Sequence, residues 1–145
     1  MAVDISLTQQ AQRGQMYGWL DVWGLAPNSS RPPMEWMGMS GDGRMPGLAS
    51  RAEINRLADL NGSEADALFL QLMIDHHLAG VAMAEAAVGR TDEPVVIALA
   101  ETIAAAQQAE ITTMRDLQAG LPEGLRPSSD GATPGHDPAS GEATH

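Results

Sequence analysis

From Ser63 to Ala119 the chain offers two helix-length stretches rich in Ala, Leu, Ile and Met, parted only by Gly89-Arg90-Thr91. A connection that short makes consecutive helices fold back on each other, and this hairpin constrains the fold more than any other feature. The rest of the composition agrees. Of the 145 residues 43% are hydrophobic, with one Phe and one Tyr, so the apolar content is of the helix-forming kind rather than the β-branched and aromatic kind that builds sheets. Steps of three and four through the second stretch mark Ala100, Ile103, Gln107, Glu110, Met114, Leu117 and Leu121 as its seam. The same walk through the first gives Asp66, Phe69, Met73, His76, Gly80, Met83 and Ala87.

Both seams carry polar residues where an apolar bundle would place Leu or Ile. An unpartnered polar group there costs a few kcal/mol, on the order of the whole margin of stability, so a conflict between core position and polar identity marks a candidate site. The centre of that conflict is His76-His77, with Met73 before it and Met83 after it. Imidazole and thioether form a soft donor set, which among biological metals suits Cu(I) best. Consecutive helical residues point about 100° apart, so one ion can hardly take both rings. Either one ring ligates and the other orients it, or each serves a different site. The alternative is one core histidine bonded to Glu110 or a carbonyl, with the other as its surface neighbour. Met73, Met83 and Met114 are candidate ligands from the two helices, or adaptable core fillers. Glu110 could ligate or orient an imidazole, and Gln107 could orient one.

Four helices are expected. The first covers about Asp4 to Gly24, and a short one about Ser50 to Leu60, where Ser50 and Glu53 have the spacing of a capping box. The histidine helix runs about Ser63 to Val88 with Ser63 as cap, and the last runs from Thr91, with Pro94 in its first turn, to about Ala119 before Gly120. The first helix repeats the last at a constant offset of 98: Ile5, Gln9, Gln12 and Met16 fall on Ile103, Gln107, Glu110 and Met114, and Trp19 and Trp23 on Leu117 and Leu121. The chain therefore divides into a remnant of a first repeat (1–25), a Pro/Gly/Met-rich linker (26–49), a second repeat with the His-His hairpin (50–121) and a tail (122–145) expected to be disordered. A first repeat without its His-His helix would leave apolar surface around Trp19 and Trp23, and self-association into a homo-oligomer is expected.

Met73-Ile-Asp-His76-His77-x5-Met83, followed by Ile103-x3-Gln107-x2-Glu110-Ile111-x2-Met114, resembles the domain-of-unknown-function 305 (DUF305) family in its duplicated actinobacterial form. Met45-Pro-Gly-Leu-Ala-Ser50, Trp36-Met37-x-Met39, Asp66 and Phe69-Leu70 are similar to that family too. The resemblance covers about residues 3 to 119. It implies an all-α, ferritin-like bundle of long antiparallel hairpins, in proteins usually secreted, lipid-anchored or membrane-tethered, with copper binding and tolerance linked to some members. Leu48 stands where many relatives have another Met, which affects the number of metal sites.

Met34, Met37, Met39 and Met45 form a second candidate copper site in the loop, or, with Trp36, an adaptable apolar lid. The net charge of −11 argues against nucleic acid and anionic membrane as partners, and no Cys is present to form a disulfide or thiolate site. No apolar run of transmembrane length and no signal peptide is evident, so an export signal, if used, lies upstream. No Glu-x-x-His of a di-iron bundle lies on the expected helices, and no phosphate loop or nucleophile motif appears, so catalysis is not expected. These residues predict a copper-binding helical protein, extracytoplasmic, for sequestration, tolerance or delivery. The alternative is a structural or interaction bundle whose polar seam sets helix register and oligomeric state.

Overall fold

The computed structural model describes residues 1–39 and 45–126, so the expected disorder of the tail falls, from residue 127 on, outside the described residues. Among the described residues four α-helices form: α1 (Ala2–Val22), α2 (Arg51–Asp59), α3 (Gly62–Val88) and α4 (Pro94–Ala119). One-turn 3-10 segments lie at Glu35–Met37 and Glu123–Leu125, and no strand occurs among the described residues. The protein is all-α.

The ends of the helices show which sequence signals govern. The Ser50 hydroxyl accepts from the Glu53 N–H, and the Glu53 carboxylate accepts from the Ser50 N–H, a complete capping box for α2. Pro94 opens α4, where its missing N–H costs nothing. Two expected caps differ. Asn61, not Ser63, precedes α3, which begins at Gly62, two residues earlier than a Ser63 cap would place it. Thr91 accepts from the Glu93 N–H in the turn, and Glu93 takes the cap position of α4. Past α4 the chain is ordered further than expected: Leu125 packs on the core and Arg126 donates to the Leu121 carbonyl.

The core lies between α3 and α4, with Leu70, Ile74, Ile111, Met114 and Leu121 at its centre. The buried line on α3 is Leu70, Ile74, His77 and Ala84, one residue beyond the expected Phe69, Met73, His76 and Met83, which are half-buried at its edge. On α4 the polar Gln118 is buried while Leu117 is 49% exposed. The shift has a physical cause. Both helices carry apolar residues at two adjacent phases, so the wide stripe can rotate about its axis until its most demanding polar residue is satisfied. Gln118 reaches Gln71 across the seam, and Gln71 in turn donates to Asp75. By length and composition α3, unlike the other described helices, could cross a membrane, at mean hydropathy 1.3 over eighteen residues. Its packing against α4 makes it instead the central helix of a hairpin.

The other segments wrap this hairpin. Ile5 on α1 is buried, and Gln9, Gln12 and Trp19 on the same stripe are half-buried, so α1 lays its expected seam inward. Met34 is buried in the left-handed region at φ 68, the one non-glycine positive φ among the described residues. The adjoining Trp36 ring lies 5.8 Å from the guanidinium of Arg90, which fastens the loop to the turn of the hairpin.

The strap Met45–Ser50 crosses α3 through Gly47. This residue has φ +72, and a Cβ there would sit 2.6 Å from Ala79 Cβ, 2.7 Å from the Asp75 carbonyl oxygen and 3.0 Å from His76 Cα. Backbone and a short side chain cannot move aside, so only glycine fits. At Gly80, by contrast, an added Cβ would meet only the flexible end of Gln107. Gly47→Ala is expected to lower the unfolding free energy by about 2 kcal/mol or more. Gly80→Ala should stay within about 1 kcal/mol of the parent, because helix propensity gained offsets displacement of Gln107. Urea unfolding of the two variants checks this, and equal effects would show that the strap is not seated on α3.

Candidate metal centre

The two histidines have different environments. His77 is fully buried. Its Nδ1 lies 2.9 Å from the Met73 carbonyl oxygen and its Nε2 lies 2.7 Å from Glu110 Oε2. A carbonyl can only accept, so Nδ1 carries a hydrogen and donates it. The short Nε2–Oε2 contact then also needs a proton between its two atoms, and the bond joins α3 to α4. Glu110 keeps 29% of its side chain in solvent. Both ring nitrogens of His77 are thus engaged, one along α3 and one across to α4.

His76, one residue on and about 100° around the helix, is half-buried, and neither of its ring nitrogens has a hydrogen-bond partner among the described residues. Its ring meets that of His77 edge-on with centroids 6.0 Å apart. It lines a cavity of about 280 Å³ under the strap, together with Met73, Leu48, Ile54, Leu57 and Phe69. The walls are apolar apart from the imidazole. An imidazole without a hydrogen-bond partner and a thioether in one pocket lining form a donor pair of soft character.

The remaining candidates are dispersed. Met114 is fully buried in the core between α3 and α4. Met83 lines a separate groove with Met16 and the tryptophans. Gln107 lies over Gly80 with its Oε1 buried and without a hydrogen bond. Glu110 is committed to His77. Of the loop methionines Met34 is buried, Met37 half-buried, and Met39 and Met45 exposed; none of them lines the His76 cavity. Among the described residues no group of three or more His, Asp or Glu is placed to hold an ion. The donors brought together are His76 and Met73, with Leu48 opposite them in the pocket wall.

The sequence reading missed the strap as a wall of the site, although Gly47 beside Pro46 was a visible signal for a tight close approach. It also missed Gln118, which lies one step off the expected seam.

A long antiparallel hairpin with a His-Glu bond at its centre, flanked by two further helices and a methionine-bearing loop, defines the class of protein. The family model for the Domain of unknown function (DUF305) matches residues 1–118, and the chain belongs to this family. Two solved structures are similar. One is a DUF305 protein of Streptomyces coelicolor, described provisionally as secreted: 48% identity, TM-score 0.76, covering 82% of this chain and 71% of that one. The other is a DUF305 fragment of Deinococcus radiodurans, at 36% identity and TM-score 0.66, covering 83% of this chain and 74% of that one. Among curated proteins nothing matches.

Removing His77 leaves the Glu110 carboxylate and the Met73 carbonyl without their partner. His77→Ala is therefore expected to cost about 3 kcal/mol in unfolding free energy, and His77→Leu, which restores apolar volume, clearly less. His76→Ala should change stability by less than about 1 kcal/mol. Thermal and denaturant unfolding of the three variants checks the division, and equal losses for His76→Ala and His77→Ala would overturn it.

Proposed function

We propose that this protein is an extracytoplasmic copper-binding helical protein, taking Cu(I) for sequestration, tolerance or delivery rather than turning over a substrate. The observation that carries the reading is the cavity under the strap, where the unbonded His76 imidazole and the Met73 thioether share an otherwise apolar wall. The donor chemistry fits a soft monovalent ion: one nitrogen, one sulfur and no carboxylate among otherwise apolar walls. Met45, two residues ahead of Gly47 and 37% exposed, is the loop thioether nearest in sequence to this wall. In this reading His77 and Glu110 hold the helix that presents His76, and Gln107, Met83 and Met114 support the fold. Secretion is supported by the description of the Streptomyces coelicolor relative. The ferritin-like, duplicated architecture belongs to the same proposal: α1, with its seam of Ile5, Gln9, Gln12 and Met16, would be the second helix of a hairpin matching α3–α4.

A second reading is favoured by the His77–Glu110 bond, which is what a device for fixing helix register looks like: a bundle for structure or interaction, without metal. The two readings separate on the bench. An anaerobic Cu(I) titration against a chromogenic chelator should show binding by the parent protein, a loss of at least about tenfold for His76→Ala and for Met73→Leu, and none for Met114→Leu. Binding that survives the His76→Ala/Met73→Leu double variant would move any site to the loop methionines. No binding by the parent leaves the register device.

A further inference from the structure

The link between α2 and α3 carries the sequence Asn61-Gly62 and joins two walls of the His76 cavity. Ile54 and Leu57 of α2 line that cavity opposite Met73 and His76 of α3. α2 ends at Asp59 and α3 starts at Gly62, so Leu60 and Asn61 alone connect them. No residue of α2 is buried, and its place therefore depends on its two ends: the capping box at Ser50 and this link.

Three features leave the link open to chemistry. Asn61 is exposed and extended, at φ −141 and ψ 159, and its side chain makes no capping bond to α3 although it stands at the cap position. Its amide carbon is thus not tied down. The Gly62 N–H belongs to the first turn, which the helix itself cannot satisfy, and it has no acceptor among the described residues. Gly62 has φ +59, and a Cβ added there would meet nothing within 4 Å, so nothing crowds the nitrogen or blocks rotation of the link. The other asparagines differ. Asn55 lies inside α2, where the following N–H is bound into the helix, and Asn28 is followed by Ser29, whose side chain hinders approach.

We propose that Asn61 is a site of spontaneous deamidation. Hydroxide removes the Gly62 N–H proton, the nitrogen attacks Asn61 Cγ, and the Cγ–Nδ2 bond breaks as ammonia leaves with a proton from water. The product is a five-membered succinimide, which water then opens. Addition at Cγ restores the ordinary backbone with an aspartate at position 61. Addition at the backbone carbonyl carbon leaves an isoaspartate, whose chain runs through Cβ and Cγ and is longer by one methylene. Nothing is oxidised or reduced, and water is the only co-reactant. In a connection of two residues that extra atom displaces α2 relative to α3, and one wall of the cavity with it. The chemistry is the same whether or not the cavity takes a metal.

Cleavage at arginine puts Asn28, Asn55 and Asn61 on three different peptides, so mass spectrometry reads each one separately. The full chain, held in mildly alkaline, metal-free buffer, is expected to gain the mass of an NH2-to-OH exchange on the Asn61 peptide at least about tenfold faster than on the other two. The rate should rise with pH, stay within a few-fold of that of an unstructured peptide of residues 57–66, and vanish in Asn61→Gln, whose longer amide closes a six-membered ring only slowly. The altered peptide should accept a methyl group from an isoaspartyl methyltransferase. The isoaspartyl fraction should melt below the parent protein, whereas freshly purified Asn61→Asp, which has the unextended backbone, should not. Equal, slow rates on all three peptides would overturn the proposal, as would strong protection of Asn61 in the folded chain relative to the free peptide. An isoaspartyl fraction that melts like the parent would overturn the coupling to α2.

Discussion

The bond between His77 and Glu110 sets the rotation of α3 about its own axis, and most of the molecule follows from that rotation. An imidazole buried to zero exposure tolerates no loss of its two partners. One partner, the Met73 carbonyl, is one turn back on the same helix; the other, Glu110, belongs to the facing helix. Apolar neighbours are less particular, because Leu, Ile and Met pack acceptably at either of two adjacent phases. The His-Glu bond therefore breaks the tie that the apolar stripe leaves open. With His77 in the seam, Leu70, Ile74 and Ala84 are carried inward and Met73 and Phe69 to the margin.

The same rotation explains why two neighbouring histidines do unlike work. His76 cannot share the seam with His77, and it emerges on the side of α3 that the strap crosses. There the backbone of Gly47 comes so close to Asp75, His76 and Ala79 that no side chain could intervene. The strap thus roofs a pocket whose floor is His76 and Met73, held at its far end by the capping box that starts α2. A satisfied histidine fixes the helix, and the unsatisfied one is presented by it. Taking Nε2 of His77 would mean displacing Glu110 from a bond of 2.7 Å.

Much of this was legible in the sequence, and the limits were physical. The helices announced themselves through Ser50-x-x-Glu53, Pro94, Gly120 and the short Gly89–Thr91 connection, because caps and breakers act locally. The pairing of a seam histidine with Glu110 was legible as one of two possibilities, but which histidine was not. Periodicity alone cannot choose between adjacent phases when both Met73 and Ile74, or both Met83 and Ala84, are apolar. Nor could the sequence bring donors together across elements. The loop methionines look alike on paper, yet Met34 is buried at a positive φ while Met39 and Met45 face water, a distribution decided by where Trp36 anchors on Arg90. On α4, Met114 lies in the core and Glu110 bonds to His77, because that side of α3 belongs to the hairpin seam.

At an offset of 98 the residues of α1 can be set against those of α4. Where α4 has Glu110, α1 has Gln12; where α4 has Gln107, α1 has Gln9. A carboxylate on a half-buried stripe is tolerable when an imidazole meets it, as at His77, and expensive when nothing does. Among the described residues no histidine faces Gln12, and the position holds a neutral amide that keeps the size and the hydrogen-bonding capacity of Glu but not its charge. The charged residue thus stands where an imidazole meets it, and a neutral amide of the same size stands on the stripe where none does.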